Sequence, residues 1–384
     1  MKHTGKKQTL CAAALSLMLA WPGGVLAQTV TLSGAKTDYA PTVTATETPV
    51  ASRPVEEGNP LTGEAWMGAC KPVMVSYSLH PDAYPLIGAQ EADWFFEMPT
   101  HQDGSTRGLA LFLGEMPEAA GPVHSGRVAM LSLREAFDAG IVCWGVREAN
   151  DGTSVKKWVQ AYRSAYRRQG RYQYPLIDLI DPTHRAHLDA AYEGSITSRA
   201  RDGHQAMWSL LVNPRRVSEM ATEDAALRAY AFSDTGDVGA AQAHKITIVN
   251  RAANDETFSY VTAFDYDAPS GLYTYGREDV ESVTDGEAMT YANVIVLRTD
   301  ITWNSSAGAV IPLVGQGACD IFIGGTYQRG TWVRANAAEA TEANSLDAPL
   351  VFFGENGEEL TLRCGKTFVA IVDADMEISV ETGA

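Results

Sequence analysis

Residues 121–127 read Gly-Pro-Val-His-Ser-Gly-Arg and lead directly into Val-Ala-Met-Leu-Ser-Leu-Arg-Glu-Ala-Phe-Asp-Ala-Gly. In the second stretch Met130, Leu133 and Phe137 recur at helical spacing, which predicts a helix over 128–139 stopped by Gly140. A helix that begins near Ser125 presents unpaired backbone N–H groups and a partial positive charge at its start. His124 and Arg127 stand beside that end, and together these groups suit a pocket for phosphate or carboxylate. The plainer alternative is that Ser125 only caps the helix while Arg127 pairs with a nearby acid. A serine nucleophile on a strand-to-helix elbow requires Gly-x-Ser-x-Gly. Val123 occupies the place of the first glycine, so that chemistry is not indicated.

Other clusters carry less. His184 and His187, three apart, would share a helix face, but the His-Glu-x-x-His zinc pattern is absent. Asp265 and Asp267 lead into a Pro-Ser-Gly turn, where an aspartate more often caps the turn than binds a cation. No phosphate-binding loop, dinucleotide fingerprint or kinase set occurs, so no nucleotide chemistry and no cofactor is expected.

The elements that must position these groups lie in a chain of 384 residues, long enough for about two domains. A formal net charge of −17 argues against non-specific nucleic-acid binding and against docking on anionic lipid. Any anion site must therefore be local. The N-terminus reads as an export signal: Lys2, Lys6 and Lys7, an apolar run from Leu10 to Trp21, then Pro-Gly-Gly and Val25-Leu26-Ala27. Cleavage is expected between Ala27 and Gln28. Cys11 stands at the start of the apolar run rather than after it, so no lipid-attachment box is evident. Residues 28–62 are rich in Thr, Ala, Pro and Ser and are read as a disordered tether. Export permits disulfides. Among Cys70, Cys143, Cys319 and Cys364 the simplest pairing is Cys70–Cys143 with Cys319–Cys364, four isolated thiols being the alternative.

Residues 63–235 mix strand and helix patterns. Strands are predicted at 72–79, 92–98, 107–116 and 140–145. The clearest helix is 154–170, capped by Ser154, with Val155, Trp158, Val159, Tyr162 and Tyr166 on one stripe. Lys156, Lys157, Arg163, Arg167 and Arg168 lie opposite, a face for an anionic polymer or, more commonly, for solvent. A further helix is predicted to begin at Asp181-Pro182. From 236 to 384 short apolar runs follow one another between Gly, Asn and Asp, with a hairpin signal at Asn356-Gly357. The fold class expected is mixed α/β: an N-terminal domain with a mixed sheet and a C-terminal, mainly antiparallel β domain.

The ordered motifs resemble a known family. Residues 59–64, 80–97, 106–112 and 121–127 are similar in order and kind to the YerB-like secreted bacterial lipoproteins, filed as a domain of unknown function. Residues 264–275, 293–297, 325–334 and 357–372 are similar to the second half of that family. Family members read Asn-His-Pro and Gly-Pro-Val-Arg-Ser-Ala-Arg, where this chain has Leu79 before His80 and His124 in place of the first arginine. The resemblance implies a site among His80, Glu97, Arg107, Ser125, Arg127 and His204, with His124 beside them. It supplies no chemistry. The expectation is an envelope protein binding an anionic ligand, gripped by Arg107 and Arg127, with His80 or His204 as a pH-sensitive contact. The alternatives are a phosphotransferase-like envelope enzyme, with Glu97 or His204 activating Ser125, and a scaffold without a pocket.

Overall fold

The structure, a computed structural model, describes residues 28–33, 58–146, 153–161, 176–178, 197–199, 208–221, 223–252, 255–278, 280–304, 308–335, 341 and 348–382. The first strands are β1 (Gln28–Leu32), β2 (Val73–Ser78), β3 (Trp94–Pro99), β4 (Thr106–Phe112) and β5 (Gly140–Cys143), with helix α1 (Val128–Ala136) preceding β5. The predicted strands of the first half are therefore present, shorter than expected, with β3 reaching one residue past its predicted end and β4 starting one residue before its predicted start.

One eleven-stranded sheet runs from Ala241–Gln242 through Thr326–Arg334, Gly315–Ile323, Asn293–Thr299 and Thr367–Asp373 to β3, β4, β2, β5 and Leu176–Asp178, with Val351–Phe353 also paired to Thr326–Arg334. It is mixed. β3 pairs antiparallel with β4, whereas β2 runs parallel to β5 and β3 parallel to Thr367–Asp373. That last pairing joins the two halves of the chain, so the break expected near 236 does not interrupt the sheet. A second, antiparallel sheet has six strands: β1, Ile378–Thr382, Lys245–Ala252, Asp255–Asp267, Leu272–Arg277 and Thr290–Tyr291. The mixed α/β class holds, with few helices among the described residues.

Alternation along the strands builds two cores. Phe95, Ala110, Phe112, Val75 and Tyr77 meet Ile246, Phe264, Tyr275 and Val380 of the second sheet. On the opposite face Trp94, Phe96, Leu109 and Leu111 pack under Met130, Leu133 and Phe137. β3 is buried at all six positions because both of its faces are covered.

Several expectations need correction. Helix α1 ends at Ala136 rather than 139, and Gly140 opens β5. The stop is a left-handed Asp138 (φ 46°), with Ala139 N–H donating to the Arg134 carbonyl and Asp138 N–H to that of Glu135. The tether reading of 28–62 fails at both ends. β1 pairs with Ile378–Thr382, and Asn59, Leu61 and Thr62 are buried. β1 has almost no buried side chain, so backbone pairing alone places it, which composition cannot reveal. The disulfide pairing is not made, and all four cysteines are free thiols. Cys319 is flanked in its sheet by Leu297 and Gly330, and the Cys364 thiol points at the Gly63 carbonyl, 3.9 Å away.

Helix 154–170 is described only to 161; Ser154 Oγ accepts the Lys157 N–H at 3.2 Å, Val155 and Trp158 are buried, and Lys156 and Lys157 are exposed. Asp267 caps its turn, accepting from Ser270 N–H at 3.0 Å and Ser270 Oγ at 2.6 Å. His184, His187 and the helix expected from 181 lie outside the described residues.

Candidate functional site

β2 and β5 are parallel neighbours whose carboxyl ends diverge, and residues 121–127 are wedged between them. Ser78 N–H donates to the Pro122 carbonyl (3.0 Å) and His124 N–H to that of Ser76 (2.8 Å). From the other side Trp144 N–H donates to the His124 carbonyl and Gly126 N–H to the Gly145 carbonyl, both at 2.9 Å. The fit at Gly126 is tight, since a Cβ there would lie 3.0 Å from the Cys143 sulfur. The carboxyl ends of parallel strands are where open α/β sheets assemble their sites.

The segment then delivers the chain into α1. The N-cap is Arg127 (φ −128°, ψ 155°), not Ser125, and the Arg127 side chain makes no capping hydrogen bond. Ser125 accepts at its carbonyl from Ser76 Oγ (3.2 Å) instead. The Arg127 side chain lies beside the helix start, its Nη1 donating to the Gly126 carbonyl at 3.2 Å.

Arg107 reaches the same place from the sheet. It lies opposite Ser78 of β2 and Met98 of β3, and directly opposed residues point to one face. That face carries α1. Arg107 is 8% exposed, its Nη1 donates to the Thr106 carbonyl at 3.3 Å, and its Nε has no hydrogen-bond partner. Burial first, and the positive charge of Arg127 second, pull the guanidinium down to about 10. Two like charges are therefore held close together, one of them buried, an arrangement that opposes folding.

The histidines complete the cluster. His124 Nδ1 accepts the Ser125 N–H at 2.8 Å, so the neutral ring carries its proton on Nε2. Burial, then Arg107, Arg127 and His80, pull His124 down to about 3. His80 Nδ1 accepts the Asp82 N–H at 3.2 Å in the same manner, with the Asp82 carboxylate 3.7 Å away. Trp208, 8% exposed, stacks on both rings, with centroids 4.9 Å from His80 and 5.2 Å from His124. Sequence reasoning missed Trp208, which lies in a stretch without periodicity, far along the chain from both rings.

His80, Arg107, His124, Ser125 and Arg127 are thus brought together. Glu97 is not. It is opposite Gly108, one residue out of step with Arg107, and so projects from the other face of the sheet. There it accepts from Thr106 Oγ1 (2.6 Å), Thr262 Oγ1 (2.9 Å) and Arg277 Nη1 (3.0 Å), joining the two sheets. His204 lies outside the described residues. Glu97 therefore cannot activate Ser125, and the lone pair of His124 is already engaged by a backbone N–H. The side-chain and backbone groups that face the cluster from Arg107, Arg127, His124 and the helix start are donors. Among the described residues no group of three or more His, Cys, Asp or Glu could hold a metal.

A mixed sheet with a helix-start cluster at the ends of its parallel strands, backed by a second antiparallel sheet, defines a two-part α+β architecture. Residues 61–224 match the family described as Protein of unknown function (DUF3048) N-terminal domain, and residues 251–369 match its C-terminal domain. The chain belongs to this family. It is 38% identical over 89 residues to the Bacillus subtilis (strain 168) protein named "Putative lipoprotein YerB". That match spans 22% of this chain and 27% of the relative. The fold is that of the crystal structure of YerB protein from Bacillus subtilis, with a TM-score of 0.62 at 21% identity, covering 84% of this chain and 99% of that one.

Proposed function

We propose that this protein is an exported cell-envelope protein whose role is to hold an anionic, phosphate- or carboxylate-bearing ligand in the cradle of Arg107, Arg127, His124 and the α1 start. Envelope location is supported by the lipoprotein name of the Bacillus subtilis relative and by the export signal read in residues 1–27. The observation that carries the ligand class is the Arg107 guanidinium, buried with its Nε lacking an acceptor and within electrostatic reach of Arg127, the N-cap of α1. A group of this kind costs stability unless an acceptor arrives to pair with it. The cradle faces the ligand with donors, so an oxyanion satisfies it and a cation does not.

Titration calorimetry of the purified protein with orthophosphate and acetate tests the reading. Binding is expected to vanish in Arg107→Met and in Arg127→Met and to persist in Ser270→Ala, which is remote from the cradle. An anion present at a hundred times its Kd should also raise stability by about 2.7 kcal/mol. Unaltered affinity in both arginine variants would remove the basis for the assignment.

A further inference from the structure

A pocket that shares no residue with the cradle opens at one end of the space between the two sheets. Its volume is about 130 Å³, and its lining includes Gln102, Asn250, Ile301, Trp303, Asp373 and Met376. We infer that this pocket binds one uncharged pyranose ring of a saccharide, stacked on the Trp303 indole. The inference is independent of the anion reading.

The strands explain how these residues meet. Ile246, Ile248 and Asn250 alternate onto one face of Lys245–Ala252, the face that meets the first sheet. The two isoleucines are in the core, and Asn250, 7% exposed, continues the row with an amide at the pocket. Trp303 lies in the strand Thr302–Asn304, opposite Ala309 of Gly308–Val310. Ala309 N–H donates to the Thr100 carbonyl at 3.0 Å, which ties this hairpin to the β3–β4 turn that carries Gln102. Asp373 and Met376 share a turn closed by Met376 N–H on the Asp373 carbonyl (3.0 Å), and Ala374 N–H anchors it to the Thr299 carbonyl (2.9 Å). Backbone bonds thus hold the walls before a ligand arrives, which lowers the ordering cost of binding.

The ligand class follows from the lining. Trp303 is 36% exposed, and no other Trp, Tyr or Phe among the described residues is as exposed. Its indole offers a flat apolar face, which Ile301 and Met376 extend. Gln102, Asn250 and Asp373 supply acceptors, and the two amides also donate. Asp373 lines the pocket and no Lys or Arg does, so an anion is disfavoured. An alkyl chain would cover both amides with no group to bond to them. A quaternary ammonium is best held by a cage of aromatic faces, and Trp303 is the one Trp, Tyr or Phe in the lining. A pyranose matches both sets of groups: the C–H bonds of one ring face lie on the indole, and its hydroxyls both donate and accept. The size agrees, since a cavity of about 150 Å³ takes up a benzene ring. One six-membered ring fits, and a longer glycan would continue into solvent.

Saturation-transfer NMR on the purified protein tests this with methyl β-glucoside, methyl β-galactoside, methyl α-mannoside and methyl N-acetyl-β-glucosaminide, and with choline and phenol as the cationic and plain aromatic alternatives. At least one pyranoside should receive saturation at its ring C–H protons, with a Kd in roughly the millimolar range expected of about 13 heavy atoms. Trp303→Ala should weaken it at least tenfold and Gln102→Ala several-fold, while Arg107→Met, in the cradle, should leave it unchanged. Gln102 is in an exposed turn, so that variant carries the test if Trp303→Ala does not fold. The inference is overturned if no pyranoside receives saturation, if affinity is unaltered in the folded pocket variants, or if only choline or phenol binds. Loss of pyranoside binding in Arg107→Met would also overturn it, by placing the sugar in the cradle.

Discussion

Replacing Arg107 with methionine should make the ligand-free protein more stable while abolishing anion binding. The sign follows from the site. The guanidinium falls from its ordinary value to about 10 on folding, so the unfolded chain holds this proton more tightly than the folded one. The charge opposes folding at every pH below about 10, and the opposition fades as pH rises through that value toward the ordinary value of an arginine. At 1.36 kcal/mol per pKa unit the full effect is about 3 kcal/mol. Relaxation and water entry in a real site reduce it, to roughly half. Methionine keeps the apolar stem against the sheet and forfeits one long bond, Nη1 to the Thr106 carbonyl at 3.3 Å, worth about 0.5 kcal/mol. The net expectation is a gain of about 1 kcal/mol, or roughly 2 °C in Tm for a chain of this size. Differential scanning calorimetry at pH 7 in a chloride buffer free of phosphate and sulfate measures it. Added sulfate should raise the Tm of the parent protein and leave the variant unmoved. A variant that melts several degrees lower would show that Arg107 is a satisfied structural group, and the reasoning from its unpaired Nε would be refuted.

Other consequences follow from the same geometry. Glu97→Gln removes the carboxylate charge that faces the fully buried Arg277 side chain at 3.0 Å; a loss of about 3–5 kcal/mol in urea unfolding is expected, and a near-neutral result would contradict the pairing. Asp320→Asn strips the partner from both Arg298 (2.6 Å) and Arg329 (2.7 Å) and should cost a similar amount, with earlier proteolysis at β1, because Arg298 Nη2 also donates to the Leu32 carbonyl. Toward a thiol reagent at pH 8, Cys364 should react first. Cys70, pushed up to about 12 by burial and nearby aspartates, and Cys319, raised well above its ordinary value by burial, should stay protected until the chain unfolds. Rapid labelling of Cys319 in the native protein would be incompatible with its place in the core.

Much of this architecture was already legible in the order of residues. The alternation of Trp94, Phe95 and Phe96, or of Leu109 and Ala110, specifies strands buried on both faces, because successive side chains must point to opposite sides. The spacing of Met130, Leu133 and Phe137 specifies a helix, and Gly121–Arg127 marks its entry. Arg107 and Arg127 could be singled out by resemblance, and local chemistry placed His124 next to Arg127. What no local pattern contains is which strands pair and in which register. The parallel pairing of β3 with Thr367–Asp373 fuses two stretches that look like separate domains. A single step of register decides that Arg107 faces α1 while Glu97, which the sequence grouped with it, faces the second sheet and serves to hold the two layers together. Trp208 enters between His80 and His124 from a distant part of the chain, and β1 is placed by backbone hydrogen bonds that any residue could make. Sequence determines which residues can form an element and which face of it is apolar. Long-range pairing, whose energy comes from contacts between segments that share no local signal, decides which of those faces meet and therefore which charges share a site.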